Sequence, residues 1–180
     1  MRNIFLETNN LYLEPLEEQH LSDNYIFWLN NSEITQYNSH GIFPNTKEAT
    51  LGYIQNCQNR TQIVLAIIDK KTNQHIGNTA ISKIDYINSH ADISILLGEK
   101  EFWGKGYAVE VFRATLSHCF NKLNLNKINS GTTSDNIPMQ KVFKKLNFTQ
   151  EGLLREYFQR DGRFVDIVPF GILKREFIDG

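Results

Sequence analysis

The chain has 180 residues, of which 41% are hydrophobic and 22% are charged, as in an ordinary globular domain and unlike a disordered segment or a coiled-coil rod. Its 19 Lys and Arg residues nearly balance its 20 Asp and Glu residues, which leaves a formal charge of -1. Such a balance provides no field for a nucleic-acid backbone, so we expect no nucleic acid among its partners. No linker composition interrupts the chain, and we expect a single domain over residues 1–180.

Cysteines and apolar runs bear on the cellular compartment. Cys57 and Cys119 form no C-x-x-C pair, and the five histidines lack metal-ligand spacing, so we expect neither a disulfide framework nor a metal site. No apolar run approaches the length of about 18 residues that a membrane span needs. The first ten residues turn polar too soon for a signal-peptide core. The sequence therefore predicts a cytoplasmic protein with free thiols and no membrane association.

The first elements are a strand and two helices. Residues 10–16 alternate in polarity, which predicts a strand, and residues 17–30 carry apolar side chains at helical spacing. A polar loop is expected over residues 31–44. Thr46 is an N-cap candidate for a second helix that runs to Asn59.

The remaining elements complete a mixed fold. We expect strands at 62–69, 75–84 and 91–98, a helix at 106–123, a strand at 127–133, a helix at 137–146, and strands at 150–159 and 164–174. Asn147 suits a left-handed residue after its helix, and Asp161-Gly162 predicts a hairpin turn. The fold class is α+β (mixed α/β), with a mostly antiparallel sheet of about seven strands flanked by about four helices.

The segment GEKEFWGKGYA, residues 98–108, carries the strongest chemical signal. Gly104 and Gly106 lie where a strand ends and an amphipathic helix begins. Glycines let the backbone approach a ligand closely, and the unpaired N–H groups of a helix N-terminus attract anions. The segment therefore predicts a phosphate or pyrophosphate site made by main-chain donors of residues 104–108, against the alternative of a glycine-rich turn with no ligand. Neither the nicotinamide fingerprint G-x-G-x-x-G nor the P-loop G-x-x-x-x-G-K-[ST] is present.

The segments ILLGEKEFWGKGYAVEVF and NLNKINSGTTSDNIPMQKVFKKLNFTQEG resemble the GNAT superfamily of acetyl-CoA-dependent N-acyltransferases. They are most similar to the branch that contains the ribosomal-protein N-terminal acetyltransferases. NLYLEPL, WLNNSEITQY and IGNTAIS follow in the order of the family, so the resemblance covers nearly the whole chain. It implies a GNAT fold, acetyl-CoA as acetyl donor with coenzyme A as product, and a primary amine as acceptor.

The resemblance also implies where the cofactor binds. The family loop Q/R-x-x-G-x-G/A falls on residues 101–106, with Glu101 in place of Gln or Arg. The strand before it resembles the one whose backbone pairs with the pantetheine arm, and Asn136 matches a position that hydrogen-bonds it. The expected cofactor-binding residues are Leu96, Leu97, Gly98, Phe102, Trp103, Gly104, Lys105, Gly106, Tyr107, Ala108, Asn136 and Phe143.

Acid–base residues are harder to place. An ammonium has no lone pair, so a base must take its proton before the amine attacks. Asp92 and Ser94 project to one face of a strand, opposite Ile93 and its neighbours. Asp92 is the candidate base, unless it is solvated or pairs with a nearby Lys. The usual acid positions of the family hold Phe143 and Met139, so another hydroxyl serves or the thiolate leaves unassisted.

Acceptor residues are predicted from position alone. Tyr37, in a polar loop, Ser94 and Asp166, a second carboxylate candidate, are expected on the acceptor side. The acceptor is a protein N-terminus, as the branch implies, or a small amine such as an amino sugar on a nucleotide. Polyamines are not favoured because the sequence shows no acidic stripe. A non-catalytic coenzyme A-binding sensor is the alternative, and the protein is a monomer or a homodimer.

Overall fold

A computed structural model describes residues 2–178. In chain order its strands are β1 (Leu6–Glu7), β2 (Leu11–Pro15), β3 (Ile63–Asp69), β4 (His75–Asp85), β5 (His90–Leu97), β6 (Lys127–Thr133), β7 (Thr149–Gln150), β8 (Leu154–Arg160) and β9 (Arg163–Leu173). Its α-helices are α1 (Asp23–Asn30), α2 (Ser32–Thr35), α3 (Lys47–Asn56), α4 (Tyr107–Asn121) and α5 (Ile137–Lys145). Short 3-10 segments cover Glu18–His20, His40–Ile42, Lys100–Phe102 and Lys174–Glu176.

All nine strands of the described residues join one sheet. Its order is β1-β2-β3-β4-β5-β6-β9-β7, and β8 pairs with β9. The β5–β6 pair is parallel, and every other pair formed within residues 2–178 is antiparallel. The predicted mixed α/β fold with a mostly antiparallel sheet is confirmed.

The two faces of the sheet carry separate cores. Helices α4 and α5 cover one face, where Phe112, Leu116 and Phe143 are almost fully buried. Helices α1 and α3 cover the other face, where Trp28 and Ile54 are buried. Burial of apolar area on both faces is what fixes the strand register, because a slip by one residue would exchange the two faces.

Several local predictions are confirmed by the backbone. The Thr46 hydroxyl accepts a hydrogen bond from Ala49 N at 3.2 Å and caps α3. Asn147 has a φ of 62°, in the left-handed region. Asp161 and Gly162 have φ of 50° and 77°, as the tight turn between β8 and β9 requires.

Helix boundaries near the N-terminus differ from the predicted ones. The expected helix over 17–30 is interrupted, because the Ser22 side chain accepts a hydrogen bond from Tyr25 N and starts α1 there. The region predicted as a polar loop over 31–44 contains α2, which Asn31 caps by accepting from Glu33 N and Ile34 N. Competition from short polar side chains for backbone donors decides both starts. The strands β1 and β7, each two residues long, have too little pattern to be predicted.

No helix formed by residues 2–178 is long and apolar enough to span a membrane. Cys57 and Cys119 are free and buried, as predicted.

Candidate active site

The sheet opens between its two parallel strands. Strands β5 and β6 pair only at His90–Lys127, Ala91–Ile128 and Asp92–Asn129. Beyond that point β5 continues to Leu97, while β6 keeps its pairing with β9 alone. The Ser130 hydroxyl donates to Ile93 O at 2.8 Å, just past the last pair. A V-shaped gap therefore separates the C-terminal halves of the two strands, and we call it the splay.

The pairing of β5 with β4 determines which backbone groups face the splay. Gly98 N donates to Ile76 O at 2.9 Å, on the β4 side. Backbone groups of successive residues in an antiparallel strand point to opposite edges. Leu96 and Gly98 therefore bond toward β4, whereas the N–H and C=O groups of Ile95 and Leu97 point into the splay. Of the predicted backbone contacts only Leu97 faces the gap, and Ile95 was missed because register cannot be read from one strand.

Trp103 closes part of this edge. Its indole Nε1 donates to Leu97 O at 2.9 Å, and 39% of the side chain is exposed. The exposed ring lies beside the end of β5, at the first residue of the glycine loop, which we define as residues 103–108. Phe102, by contrast, is 5% exposed and belongs to the core.

The glycine loop presents a row of unused donors. Gly104 and Gly106 have φ of 72° and 84°, in the region that favours glycine. Val109 N and Glu110 N both bond to Gly106 O. The main-chain N–H groups of residues 104–108 have no acceptor among residues 2–178. Five unpaired donors at the start of a 15-residue helix are an arrangement that attracts an anion such as a pyrophosphate.

Aromatic contacts hold the loop in place. The rings of Phe102 and Tyr107 stack with centroids 5.9 Å apart, and the Lys105 ammonium lies 4.9 Å from the Phe102 centroid. The Tyr107 hydroxyl donates to Asp69 Oδ1 at 3.0 Å. Burial raises the pKa of Tyr107, and the bond to Asp69 raises it further. The first residue of α4 is thereby tied to the turn between β3 and β4.

A second tie fixes α4 to the N-terminal hairpin. Glu110 Oε1 accepts from Asn10 N at 2.7 Å, and Oε2 accepts from Asn10 Nδ2 at 3.0 Å. The Thr8 hydroxyl also donates to Glu110. Burial would raise the pKa of Glu110, but these hydrogen bonds outweigh it and lower the pKa. The helix that carries the glycine loop is therefore anchored at its first turn.

Helix α1 packs directly against the end of β5. A Cβ added at Gly98 would lie 1.9 Å from Trp28 Cδ2, so only glycine fits. The Trp28 indole donates to Glu99 Oε1 at 3.2 Å. Trp28 is 1% exposed and belongs to the core on this face. The face of the sheet that carries α1 and α2 is thus in contact with the approach to the glycine loop.

Asp92 lies on that same face. Ile93 of β5 packs in the core under α4, and Leu96 packs with the core under α1 and α3, so alternation places Asp92 and Ser94 with Leu96. Lys83 Nζ is 2.7 Å from Asp92 Oδ2. Its hydrogen bond to Asp92 and the charge of that carboxylate raise the pKa of Lys83. The candidate base is therefore ion-paired, the alternative that the sequence left open.

Asp166 lies apart from Asp92. Its Oδ1 accepts from Glu156 N at 2.8 Å, and its carbonyl accepts from Ser134 N at 2.9 Å. Val168 of the same strand is in the core under α4 and α5, so alternation puts Asp166 on that face. The two candidate carboxylates are on opposite sides of the sheet and do not form one site.

The side chain of Asn136 caps the N-terminus of α5. Its Oδ1 accepts from Met139 N at 3.3 Å and its Nδ2 donates to Thr132 Oγ1 at 2.8 Å. The side chain is 8% exposed. Asn136 caps a helix that starts beside the β6 limb of the splay.

Phe143 is a core residue. It is 1% exposed, with ring centroids of Phe170, Phe148 and Phe112 between 4.8 and 6.0 Å away. The position where the family resemblance places an acidic hydroxyl therefore holds a buried hydrocarbon ring.

Tyr37 lies beneath a guanidinium. Arg160 Cζ is 5.6 Å from the Tyr37 ring centroid, and Arg160 NH1 donates to Gln36 O at 3.1 Å. The same guanidinium forms an ion pair with Asp135. Burial would raise the pKa of Asp135, but the hydrogen bond from Arg160 contributes to a net lowering. The sequence predicted that Tyr37 lies in a polar loop, but it predicted none of these contacts.

Comparison with known proteins decides the family. A family model described as the acetyltransferase (GNAT) domain matches residues 10–149. The chain belongs to the GNAT family of acetyltransferases. It is therefore an acyltransferase that uses acetyl-CoA, and the donors of the glycine loop and the edge of β5 are compatible with that cofactor.

Several GNAT relatives are similar over most of the chain. The uncharacterized N-acetyltransferase p20 of Bacillus licheniformis is 33% identical over 175 residues, which cover 96% of this chain and 97% of that protein. The crystal structure of spermidine N-acetyltransferase from Vibrio cholerae in complex with CoA and spermine has a TM-score of 0.83 and 25% identity, with 93% and 97% of the two chains covered. The putative ribosomal N-acetyltransferase YdaF of Bacillus subtilis (strain 168) is 29% identical over 101 residues, 56% of this chain and 55% of that protein.

Proposed function

We propose that this GNAT enzyme acetylates the primary amine of a small molecule by direct transfer from acetyl-CoA. The five unused main-chain donors of residues 104–108 carry the cofactor part of the proposal. We further propose that residues 1–180 act as a single catalytic domain in the cytoplasm, where the two free cysteines stay reduced.

The chain's own backbone would hold the cofactor. The glycine loop would bind the pyrophosphate, and the splay-facing groups of Ile95 and Leu97 would pair with the amide-bearing arm. The Trp103 indole donates a hydrogen bond to Leu97 O. This hydrogen bond would have to break before Leu97 O could pair with the cofactor. Acetyl-CoA supplies the activated thioester carbonyl.

Asp92 is the proposed base. It lies on the face of β5 that carries α1, and its carboxylate can accept the proton that an ammonium must lose. Asp92→Asn should lower kcat by about a hundredfold or more, with the affinity for acetyl-CoA kept. Lys83→Gln is the matched variant, because it removes the ion-pair partner and leaves the carboxylate, and it should keep turnover. If Asp92→Asn retains full turnover, Asp92 is not the base.

No proton donor is needed from α5. The positions that the resemblance marks for a general acid hold Phe143 and Met139, and Phe143 is fully buried. A typical thiol has a pKa of about 8.5, so we propose that the thiolate leaves without a proton from the chain.

The acceptor class is supported by the relatives. The solved structure of a spermidine N-acetyltransferase in complex with CoA and spermine is similar over nearly the whole chain, which supports a small amine as the acceptor. Asp92, Glu33 and Asp135 each pair with a cation, so the acceptor side has no free acidic stripe, and the choice of spermidine rests on the relatives alone. We therefore propose a small amine, with spermidine as the first compound to test, rather than a protein N-terminus.

A panel of amines tests the proposal. Release of free thiol from acetyl-CoA is measured with spermidine, a nucleotide-linked amino sugar and peptides with free N-termini, and the mass of each product is determined. We expect acetylation of at least one small amine, with a kcat/KM above that of any peptide. Acetylation of peptides alone would refute the acceptor class, and acetylation of none of them would refute the proposed function for this panel.

A further inference from the structure

Two limbs border the open end of the splay. On the β5 limb lies the segment before the glycine loop, which includes Lys100. On the β6 limb lies the turn into α5, which includes Asp135 and Asn136. The segment of residues 32–37, which we call the acceptor segment, contacts the β5 limb directly and is linked to the β6 limb through Arg160.

One end of the acceptor segment is tied to the β5 limb. Glu33 of α2 forms an ion pair with Lys100, four residues before Gly104. Both side chains are largely exposed, at 61% and 42%, so this pair contributes little by itself. It nevertheless places α2 beside the approach to the glycine loop.

The other end depends on one arginine. Arg160 donates to Gln36 O, covers the Tyr37 ring and pairs with the Asp135 carboxylate. Its side chain is 24% exposed, so these contacts are better shielded from water than those of Lys100. A planar guanidinium suits this role, because it can stack on a ring while its N–H groups serve two acceptors. Gln36 and Arg160 are 124 residues apart in sequence, so no local structure imposes the contact.

We infer that Arg160 is a positioning residue for the acceptor amine, which holds Gln36 and Tyr37 against Asp135 and so fixes the wall of the acceptor side. This inference rests on the proposed function. Arg160 touches the acceptor segment and the β6 limb, and no contact joins it to the glycine loop within the part of the chain that the structure describes. Its loss should therefore affect the acceptor and leave the cofactor alone.

Arg163 provides a matched control. It pairs in register with Arg160 across the same turn. It is exposed, and its side chain has no hydrogen bond or ion pair with the other residues in the range 2–178. Arg163→Gln removes the same charge from the same hairpin without touching the acceptor segment.

Steady-state kinetics with the amine that the panel identifies provide the first test. Arg160→Gln should raise the KM for the amine by about tenfold, with kcat changed by less than about threefold. The dissociation constant of acetyl-CoA, measured by calorimetry, should be unchanged, and Arg163→Gln should match the wild type. Arg160→Lys should fall between them, because it keeps the charge and loses the fork. Equal KM values for the two Gln variants would overturn the inference, as would a parallel loss of acetyl-CoA affinity.

Hydrogen exchange provides a readout that needs no activity. Amides of residues 32–38 should exchange faster in Arg160→Gln than in Arg163→Gln, with the rest of the sheet unchanged. If this difference is present but the wild type acetylates no amine, the proposed function is wrong, whereas the structural role of Arg160 in holding residues 32–37 is confirmed. If exchange is the same in both variants, Arg160 does not hold the segment.

Discussion

Gly106→Ala separates the conformational role of the glycine loop from its binding role. Gly106 has a φ of 84°, and apart from its two chain neighbours none of the described residues has an atom within 4 Å of the position of an added Cβ. The cost is therefore the left-handed backbone alone, about 1–2 kcal/mol. For a domain of this length it corresponds to a fall in melting temperature of roughly 2–8 °C.

Gly162 is a control for the same substitution. Its φ is 77°, it has equally open surroundings, and it lies in the turn between β8 and β9, outside the glycine loop. Gly162→Ala should lower the melting temperature by a similar amount.

Binding should distinguish the two variants. Relief of this strain would rotate the backbone at position 106 and reorient the N–H groups beside it, and the loss of one hydrogen bond to a charged group weakens binding about tenfold or more. Calorimetric titration with acetyl-CoA should show this loss for Gly106→Ala and wild-type affinity for Gly162→Ala. Equal affinity in both variants would refute the assignment of the loop to the pyrophosphate.

Three further outcomes follow from buried groups. Burial lowers the pKa of His75 to about 4, so as the pH falls the unfolded state takes up the proton before the folded state does. The free energy of unfolding should therefore fall by up to about 3 kcal/mol between pH 6.5 and pH 4. A free energy from urea unfolding that stays constant over this range, or that declines equally in His75→Gln, would contradict this prediction. Glu110→Gln should destabilise the protein by about 1–3 kcal/mol, because an amide cannot accept all three hydrogen bonds from Thr8 and Asn10. Urea unfolding at pH 7 measures the change, and a change near zero would show that these hydrogen bonds do not stabilise the fold. Gly98→Ala should cost about 3 kcal/mol or more through the clash with Trp28, whereas Gly52→Ala, which meets no described atom within 4 Å in α3, should be neutral or stabilising in the same thermal unfolding experiment.

The sequence predicted the elements whose signals are local. The strands β3 to β6, the helix α4, the Thr46 cap and the turn at Asp161-Gly162 all follow from hydrophobic period or turn chemistry. The position of the glycine loop was located in the same way, because glycines at a strand-to-helix junction permit the left-handed backbone found at Gly104 and Gly106. Family resemblance added the expectation that the backbone of the strand before the loop is free to pair with the cofactor, which no pattern within a single strand reveals.

Contacts between distant segments were not predictable. Lys83 has a φ of 50° at an irregularity in the β4–β5 pairing, and that local backbone brings its ammonium to Asp92. The choice of Ile95 over Leu96 as the residue facing the splay depends on strand register. Arg160 meets Gln36 only because the sheet brings β8 beside the β6–α5 turn. Each of these contacts is set by tertiary packing, so one sequence gives no signal for it.

The most direct test of the central claim is an amide ¹H–¹⁵N titration of the wild-type protein with acetyl-CoA. The account predicts that the largest shifts fall on the amides of residues 104–108, with a second set at Ile95 and Leu97 on the splay edge of β5. NAD, which shares the pyrophosphate but lacks the pantetheine arm, should leave Ile95 and Leu97 unshifted. Saturating acetyl-CoA that shifts other regions while leaving residues 104–108 unchanged would contradict the account.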